Sequence, residues 1–428
     1  MRKRIIAGIL CITMLTGLAA CGTTTDPQIQ SKNLMEEVTT PVPTENGELI
    51  STGKVDVLAS YIEQHPLSEF GLKLMQQTLL SAGADENVLV SPLSVLLALY
   101  MTANGAEGKT KEQMMDVLGD NLNEYLIAYQ RALPQRDEYK LHIANGIWYR
   151  EEEFLKVQEG FLKTNQEYFD AAVYKAPFND ITCKEINNWV KENTDGMIDS
   201  ILEEISPDVV MYLINALSFD AKWQKPYNAY NVLEDRIFTK EDGTEQKTTL
   251  MYSEESTYLE DEQATGFLKY YKDRKYAFVA LLPKEGVTVA DYVAQLNAEH
   301  FHELLVSAKQ TTVNAALPKF ETEYDILLND VLIQMGMPDA FSMFDADFSN
   351  MATSERGNIH IGRVLHKTFI SVDELGTRAG AVTAVEMTDE CAPMEVYTVH
   401  LNRPFVYMLI DCETNQPFFV GTMMDVEK

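Results

Sequence analysis

Residues 366–394 read HKTFISVDELGTRAGAVTAVEMTDECAPM. Laid out as a β-strand, the segment alternates its side chains between two faces. One face collects Thr377, Ala379, Ala381, Thr383, Val385 and Met387, none of them charged. The other collects Arg378, Gly380, Val382, Ala384, Glu386 and Thr388, so both charges lie on that side. This is the pattern of a strand with one buried and one wet face. The composition, however, is poor for a core strand, because Ala and Gly are weak strand formers and branched or aromatic residues are scarce. No proline interrupts residues 367–392. The segment is able to enter a sheet without being committed to one.

Outward from this stretch, the chain alternates helical and extended patterns. Leu67, Phe70, Leu74, Met75, Thr78 and Leu79 share one face of an amphipathic helix. Asn87–Val90 reads as a short strand, and Ser91-Pro92 as the N-cap and first residue of a buried helix that Gly105 ends. Thr110–Gln113 reads as a capping box opening the next helix, with Gly119 closing it. Strands are expected at 141–149, 277–282, 312–320 and 396–401, and a hairpin over 405–423. The nearly unbroken apolar run Val209–Phe219 predicts a central strand covered on both faces, interrupted by Asn215.

At this point the motifs resemble those of the serpin family. Glu374-Leu375-Gly376-Thr377 followed by Ala379-Gly380-Ala381 and Thr383 is similar to the hinge of the reactive-centre loop. His366-Lys367 upstream and Asn402-Arg403-Pro404-Phe405 downstream match the segments that bracket that loop. NVLVSPLSVLLALYMTANGAEGKTKEQMMDVL, residues 87–118, resembles the helix under the central sheet, and similar blocks continue to the C-terminus. Arg378 departs from the pattern, since many members carry Glu there, and the C-terminal part of the loop is longer than in short-looped members. The resemblance implies one α+β domain over residues 59–428, with a large central β-sheet, smaller sheets, about nine helices and an exposed reactive-centre loop. It implies a suicide-substrate inhibitor of serine proteases, with cysteine proteases a second class, that forms a covalent complex with its target. The alternative is a non-inhibitory binding or chaperone protein whose loop is cut without trapping. Ser91, Ser94, Asn215 and His366 match the family's polar shutter beneath the sheet, and Trp223 stands at the position where the loop first inserts in that family. The family spacing, counted sixteen residues on from Glu374, implies a reactive bond at Glu390-Cys391. Counting back eleven from Pro404, as in short-looped members, implies Pro393-Met394; the first is preferred because the hinge must insert in fixed register.

The N-terminus carries a different signal. Arg2-Lys3-Arg4, the apolar run Ile5–Leu18 and Leu18-Ala19-Ala20-Cys21 form a leader over residues 1–20 that resembles a bacterial lipoprotein signal, with Cys21 the acylated residue. Residues 21–58, rich in Thr, Pro, Glu and Gln, are expected to be a disordered tether. The protein is then an extracytoplasmic, membrane-anchored monomer.

The 428 residues include 35 Lys+Arg against 65 Asp+Glu, a net charge of −30. With no basic patch beyond the leader, nucleic acid is a poor partner. No G-x-S-x-G, G-x-G-x-x-G, P-loop or H-E-x-x-H motif occurs. The Asp345-Ala346-Asp347 start of a calcium loop lacks the later ligands, because Asn350 and Arg356 replace the required Gly and Glu. Of the five cysteines, Cys21, Cys183, Cys391 and Cys412 would remain in the mature chain, in a spacing that suggests neither disulfides nor metal. An enzyme, a metal and a cofactor are not expected.

Overall fold

The computed structural model describes residues 30–33, 66–119, 122–133, 135–136, 138–377 and 395–427. In chain order the strands are β1 (Lys32–Asn33), β2 (Val88–Val90), β3 (Gln135–Arg136), β4 (Tyr139–Arg150), β5 (Leu155–Val157), β6 (Ala172–Ala176), β7 (Met211–Lys222), β8 (Val232–Thr239), β9 (Glu245–Glu260) and β10 (Ala264–Tyr270). There follow β11 (Tyr276–Pro283), β12 (Lys309–Pro318), β13 (Phe320–Leu327), β14 (Ala352–Ser354), β15 (Leu365–Val372), β16 (Gly376–Thr377), β17 (Val396–His400), β18 (Phe405–Asp411) and β19 (Gln416–Met423). The α-helices among the described residues are α1 (Pro66–Ala82), α2 (Pro92–Ala103), α3 (Gly108–Leu118), α4 (Leu122–Ala132), α5 (Glu159–Phe169), α6 (Asp180–Asn193), α7 (Val289–Gln295), α8 (Ala298–Val306) and α9 (Asn329–Met335).

The central sheet runs β1-β6-β4-β7-β16-β15-β13, with β3 beside β4. It is mixed: β6 is parallel to β4, whereas β7 is antiparallel to both β4 and β16. A second sheet of nine strands runs β17-β12-β9-β10-β11-β18-β19-β2 with β8 on β9, and β5 pairs with β14 alone. The main core lies between the two large sheets and α1 and α2, and a satellite core packs α6 on the central sheet through Trp148, Ile186, Val190 and Ile214. The expected α+β architecture, with its large central sheet and about nine helices, is met.

Local expectations divide by their cause. Ser91 caps α2 as expected, accepting from the Ser94 amide at 3.3 Å, with Pro92 next. Gly105 follows that helix for another reason: a Cβ there would lie 2.4 Å from Met351 Cβ, so the residue is small to admit a neighbouring chain. The capping box at Thr110 is corrected. Helix α3 begins earlier, at Gly108, and the Thr110 hydroxyl instead accepts from the Asp347 amide at 2.9 Å. The strand read over 312–320 is two strands, β12 and β13, broken after Pro318. In β7, Ala216–Phe219 are buried as expected, but Met211–Leu213 are only half-buried. Among the described residues, β7 and β15 are joined only through Gly376–Thr377, so the lower part of β7 lacks a neighbour on that side. Cys183 and Cys412 are free. Within residues 21–58, the unbroken tether is corrected at one point. Lys32 and Asn33 pair with Lys175 and Tyr174 of β6, because that strand offers an otherwise open sheet edge.

Candidate functional site: the hinge and the slot below it

The turn Asp373–Thr377 carries the chain from β15 back into the sheet. Asp373 holds it locally: its Oδ1 accepts from the amides of Leu375 (2.8 Å) and Gly376 (3.1 Å). Gly376 then pairs with Lys222, and Thr377 with Ala221 on one side and Val372 on the other. A side chain at 376 could not be accommodated, since a Cβ would lie 2.1 Å from the Ala221 carbonyl oxygen.

An aromatic receptor holds this turn. The Trp223 indole N–H donates to the Asp373 carbonyl at 2.8 Å, and its backbone N–H to Leu375 O at 2.9 Å. The Tyr227 amide donates to Glu374 O at 2.8 Å. Trp223 stacks on Tyr271 with centroids 4.4 Å apart, and the Tyr271 hydroxyl shares a 2.6 Å hydrogen bond with Thr377 Oγ1. Thr377 is 2% exposed. Behind the rings, the Lys269 ammonium lies 4.0 Å from the Tyr227 centroid and 5.2 Å from that of Trp223, and pairs with Glu255 at 2.7 Å. Burial lowers the pKa of that ammonium, while the Glu255 charge opposes the shift. Outside, the Glu374 carboxylate meets Lys319 at 2.8 Å, a contact that depresses its pKa. Both partners are well exposed, so the pair adds little stability.

Further along the two strands, from Ala216 on β7 and Lys367 on β15 to their far ends, lies a cleft of about 940 Å³, floored by α2 residues such as Val95 and Leu99. Ser94, Asn215 and His366 line it. The Ser91 amide donates to His366 Nε2 at 3.0 Å, and the Ser91 hydroxyl to Phe418 O at 2.9 Å. Burial lowers the His366 pKa to about 4, so the imidazole is neutral and able to accept. Asn215 does not join that group by a hydrogen bond. Its Nδ2 donates to Asn145 Oδ1 at 2.8 Å, and Asn145 donates to Phe169 O at 2.6 Å. Asn215 Oδ1 is buried and accepts no hydrogen bond among the described residues.

A family model described as "Serpin (serine protease inhibitor)" matches residues 65–426. The chain belongs to the serpin family. It is similar to a solved thermophilic serpin, tengpin, in the native state, with 44% identity and a TM-score of 0.82 over 93% of this chain and 100% of that one. Tengpin in the latent state matches less well, with 45% identity and a TM-score of 0.75 over 86% and 98%. An uncharacterized serpin-like protein of Thermococcus kodakarensis is 30% identical over 93% of this chain and 94% of its own. Human neuroserpin is 28% identical over 82% and 89%.

In this serpin the sequence-named residues fall into three sets. Glu374, Gly376, Thr377 and Trp223 meet at the hinge, whereas Ser91, Ser94, Asn215 and His366 line or underlie the cleft. Ala379, Gly380, Ala381, Thr383, the Glu390-Cys391 bond and Cys21 lie outside the described residues. Sequence reasoning missed Asp373, Tyr227, Tyr271, Lys269, Glu255 and Asn145. Only the buried charge pair left a trace, Lys269 within the apolar run 264–271.

Proposed function

We propose that this serpin is a suicide-substrate inhibitor of serine proteases that traps the acyl-enzyme by inserting its loop into the central sheet. The observation that carries the reading is Thr377, already paired between Ala221 and Val372, with an open cleft beginning five residues further down β7 at Ala216. Continued in that register, Ala379 would oppose Phe219 and Ile370, Ala381 would oppose Leu217 and Thr368, and Thr383 would oppose Asn215 and His366. The small uncharged face would thus turn toward the core, the side on which Thr377 is buried. Thr383 would bring a hydroxyl donor to the unfilled Asn215 acceptor.

A protease that attacks the Glu390-Cys391 bond becomes esterified to the loop. Insertion of about fifteen residues at ~3.3 Å each then carries the ester roughly 50 Å. A new strand with a dozen or so ladder hydrogen bonds, at ~1 kcal/mol net each, releases on the order of 10 kcal/mol. That is enough to distort a triad and oxyanion hole, so that deacylation fails. The native fold is then a kinetic state. Acylation of Cys21 would place the inhibitor on the outer face of a membrane, with secreted proteases as its targets.

Incubation with a panel of serine and cysteine proteases, read on denaturing gels, tests this. A covalent adduct with at least one protease is expected. Clean loop cleavage by every enzyme, with full protease activity retained, would replace it with the non-inhibitory binding or chaperone reading.

A further inference from the structure

We infer that Lys269 is a positioning residue for the hinge: its buried ammonium pins the loop of residues 223–227, whose front receives residues 373–377. That loop offers the hinge three N–H donors, from the Trp223 indole to Asp373 O at 2.8 Å, from the Trp223 backbone to Leu375 O at 2.9 Å and from the Tyr227 backbone to Glu374 O at 2.8 Å. They hold the hinge in register only while the loop itself is held. Its start is fixed by backbone contacts, since Trp223 bridges Tyr271 and the Gln224 amide donates to Tyr270 O at 2.9 Å. Pro226 has no N–H to contribute. From Lys225 to Tyr227 the hold comes from behind. The Lys269 ammonium donates to Lys225 O at 3.2 Å and lies 4.0 Å from the Tyr227 ring centroid and 5.2 Å from that of Trp223. Glu255 fixes its direction, with an Oε1 that accepts from the ammonium at 2.7 Å and from the Ser253 hydroxyl at 2.7 Å.

Sheet geometry makes room for this pin. Strand β10 pairs with β9 at Thr265, Gly266 and Phe267, and past that point the loop of residues 223–227 takes the place of β9 beside it. Lys269, 1% exposed, reaches both the strand that leaves and the loop that enters. Taking a charge pair out of water is costly, and two well-packed apolar side chains would serve stability as well or better. What apolar side chains lack is direction. The ammonium points its donors at one carboxylate and one carbonyl and presents its charge to two rings, and this fixes where the loop's own donors stand. The Lys319–Glu374 pair outside the turn is too exposed to do the same. In the proposed trapping mechanism, on which the functional side of this inference rests, insertion starts from Thr377 in the register these donors set. A loosened loop would delay that first step and let deacylation run ahead of it.

The test compares amide hydrogen exchange, read by mass spectrometry, in the unaltered chain, in Lys269→Met and in Lys269→Met combined with Glu255→Gln. Methionine keeps the length of the side chain and removes its charge, and the double variant leaves no carboxylate buried alone. Exchange in peptides covering residues 223–227 and 373–377 is expected to rise about tenfold or more in both variants, with β11 and β18 unchanged. A pair that only supports the fold gives another pattern: exchange rises throughout in the single variant and returns to the native rate in the double one. That pattern overturns the pin, as does native exchange of both segments in Lys269→Met. Should the single variant fail to fold, the double variant alone decides between the two. The same proteins are then incubated with a protease that the unaltered chain traps. A several-fold rise in cleaved serpin per adduct is expected in both variants, and an unchanged ratio overturns the positioning role even where exchange is faster. An unaltered chain that traps no protease sinks the trapping mechanism instead, and the exchange rates still decide whether Lys269 holds the hinge.

Discussion

Thr377 and His366 carry the site at the scale of single residues. Thr377→Arg places a cation where the native side chain is 2% exposed and bonded to Tyr271. An unpaired buried ion costs several kcal/mol, so the hinge would be expelled and, under the proposed mechanism, the protein would behave as a substrate. The gel assay should show cleaved serpin without adduct; an unchanged stoichiometry would contradict the inward facing of residue 377. His366 is expected to make the cleft region acid-sensitive. Its pKa is about 4 in the fold and ~6.5 in the unfolded chain. Below pH 6.5 the unfolded state therefore takes up the proton first, and stability falls as pH drops toward 4, then flattens. The full loss is about 3 kcal/mol. Protonation also removes the acceptor for the Ser91 amide. Urea midpoints from pH 7 to 4 should fall more steeply for the native chain than for His366→Gln, and parallel slopes would rule the histidine out.

At the scale of elements, the alternation of residues 377–387 predicted which side of a strand would be buried, and the burial of Thr377 in β16 agrees with it. The register adds a partner: Thr383 would meet Asn215 and His366. Thr383→Val should leave the native form unchanged and lower the stability of the loop-cleaved form by about 1–3 kcal/mol, since a buried acceptor then stays unpaired. Thermal melts of both forms check this, and an equal loss in each would refute the register. The proposed reactive bond, Glu390-Cys391, has its own test. Mass spectrometry of the peptide released from an inhibited protease should find it beginning at Cys391, and a fragment beginning at Thr388, Met394 or Glu395 would refute the count from Glu374. Helices α1 and α2 were legible because periodicity and caps are local signals. The start of α3 was misread because Thr110 is claimed by Asp347, which is 237 positions away in the chain.

In the proposed mechanism the whole molecule stores the difference between an open and a filled sheet. Cleavage of the loop without trapping should allow insertion and raise the melting temperature markedly, because the added ladder bonds are then made. A cleaved form that melts no higher than the native one would remove the driving force from the proposed mechanism. The chain's family, its order of elements and the uncharged face of its loop were determined by the sequence alone, because apolar period, caps and motif order are written along the backbone. Only the tertiary structure decided the rest. It brought Trp223, Tyr227 and Tyr271 from separate segments around Asp373–Thr377, and buried Lys269 against Glu255 behind them. It gave Asn215 to Asn145 rather than to His366, and it docked Lys32 and Asn33 on β6. Each of these contacts joins distant parts of the chain through cross-strand register or a shared buried space, and neither quantity exists until the sheets have packed.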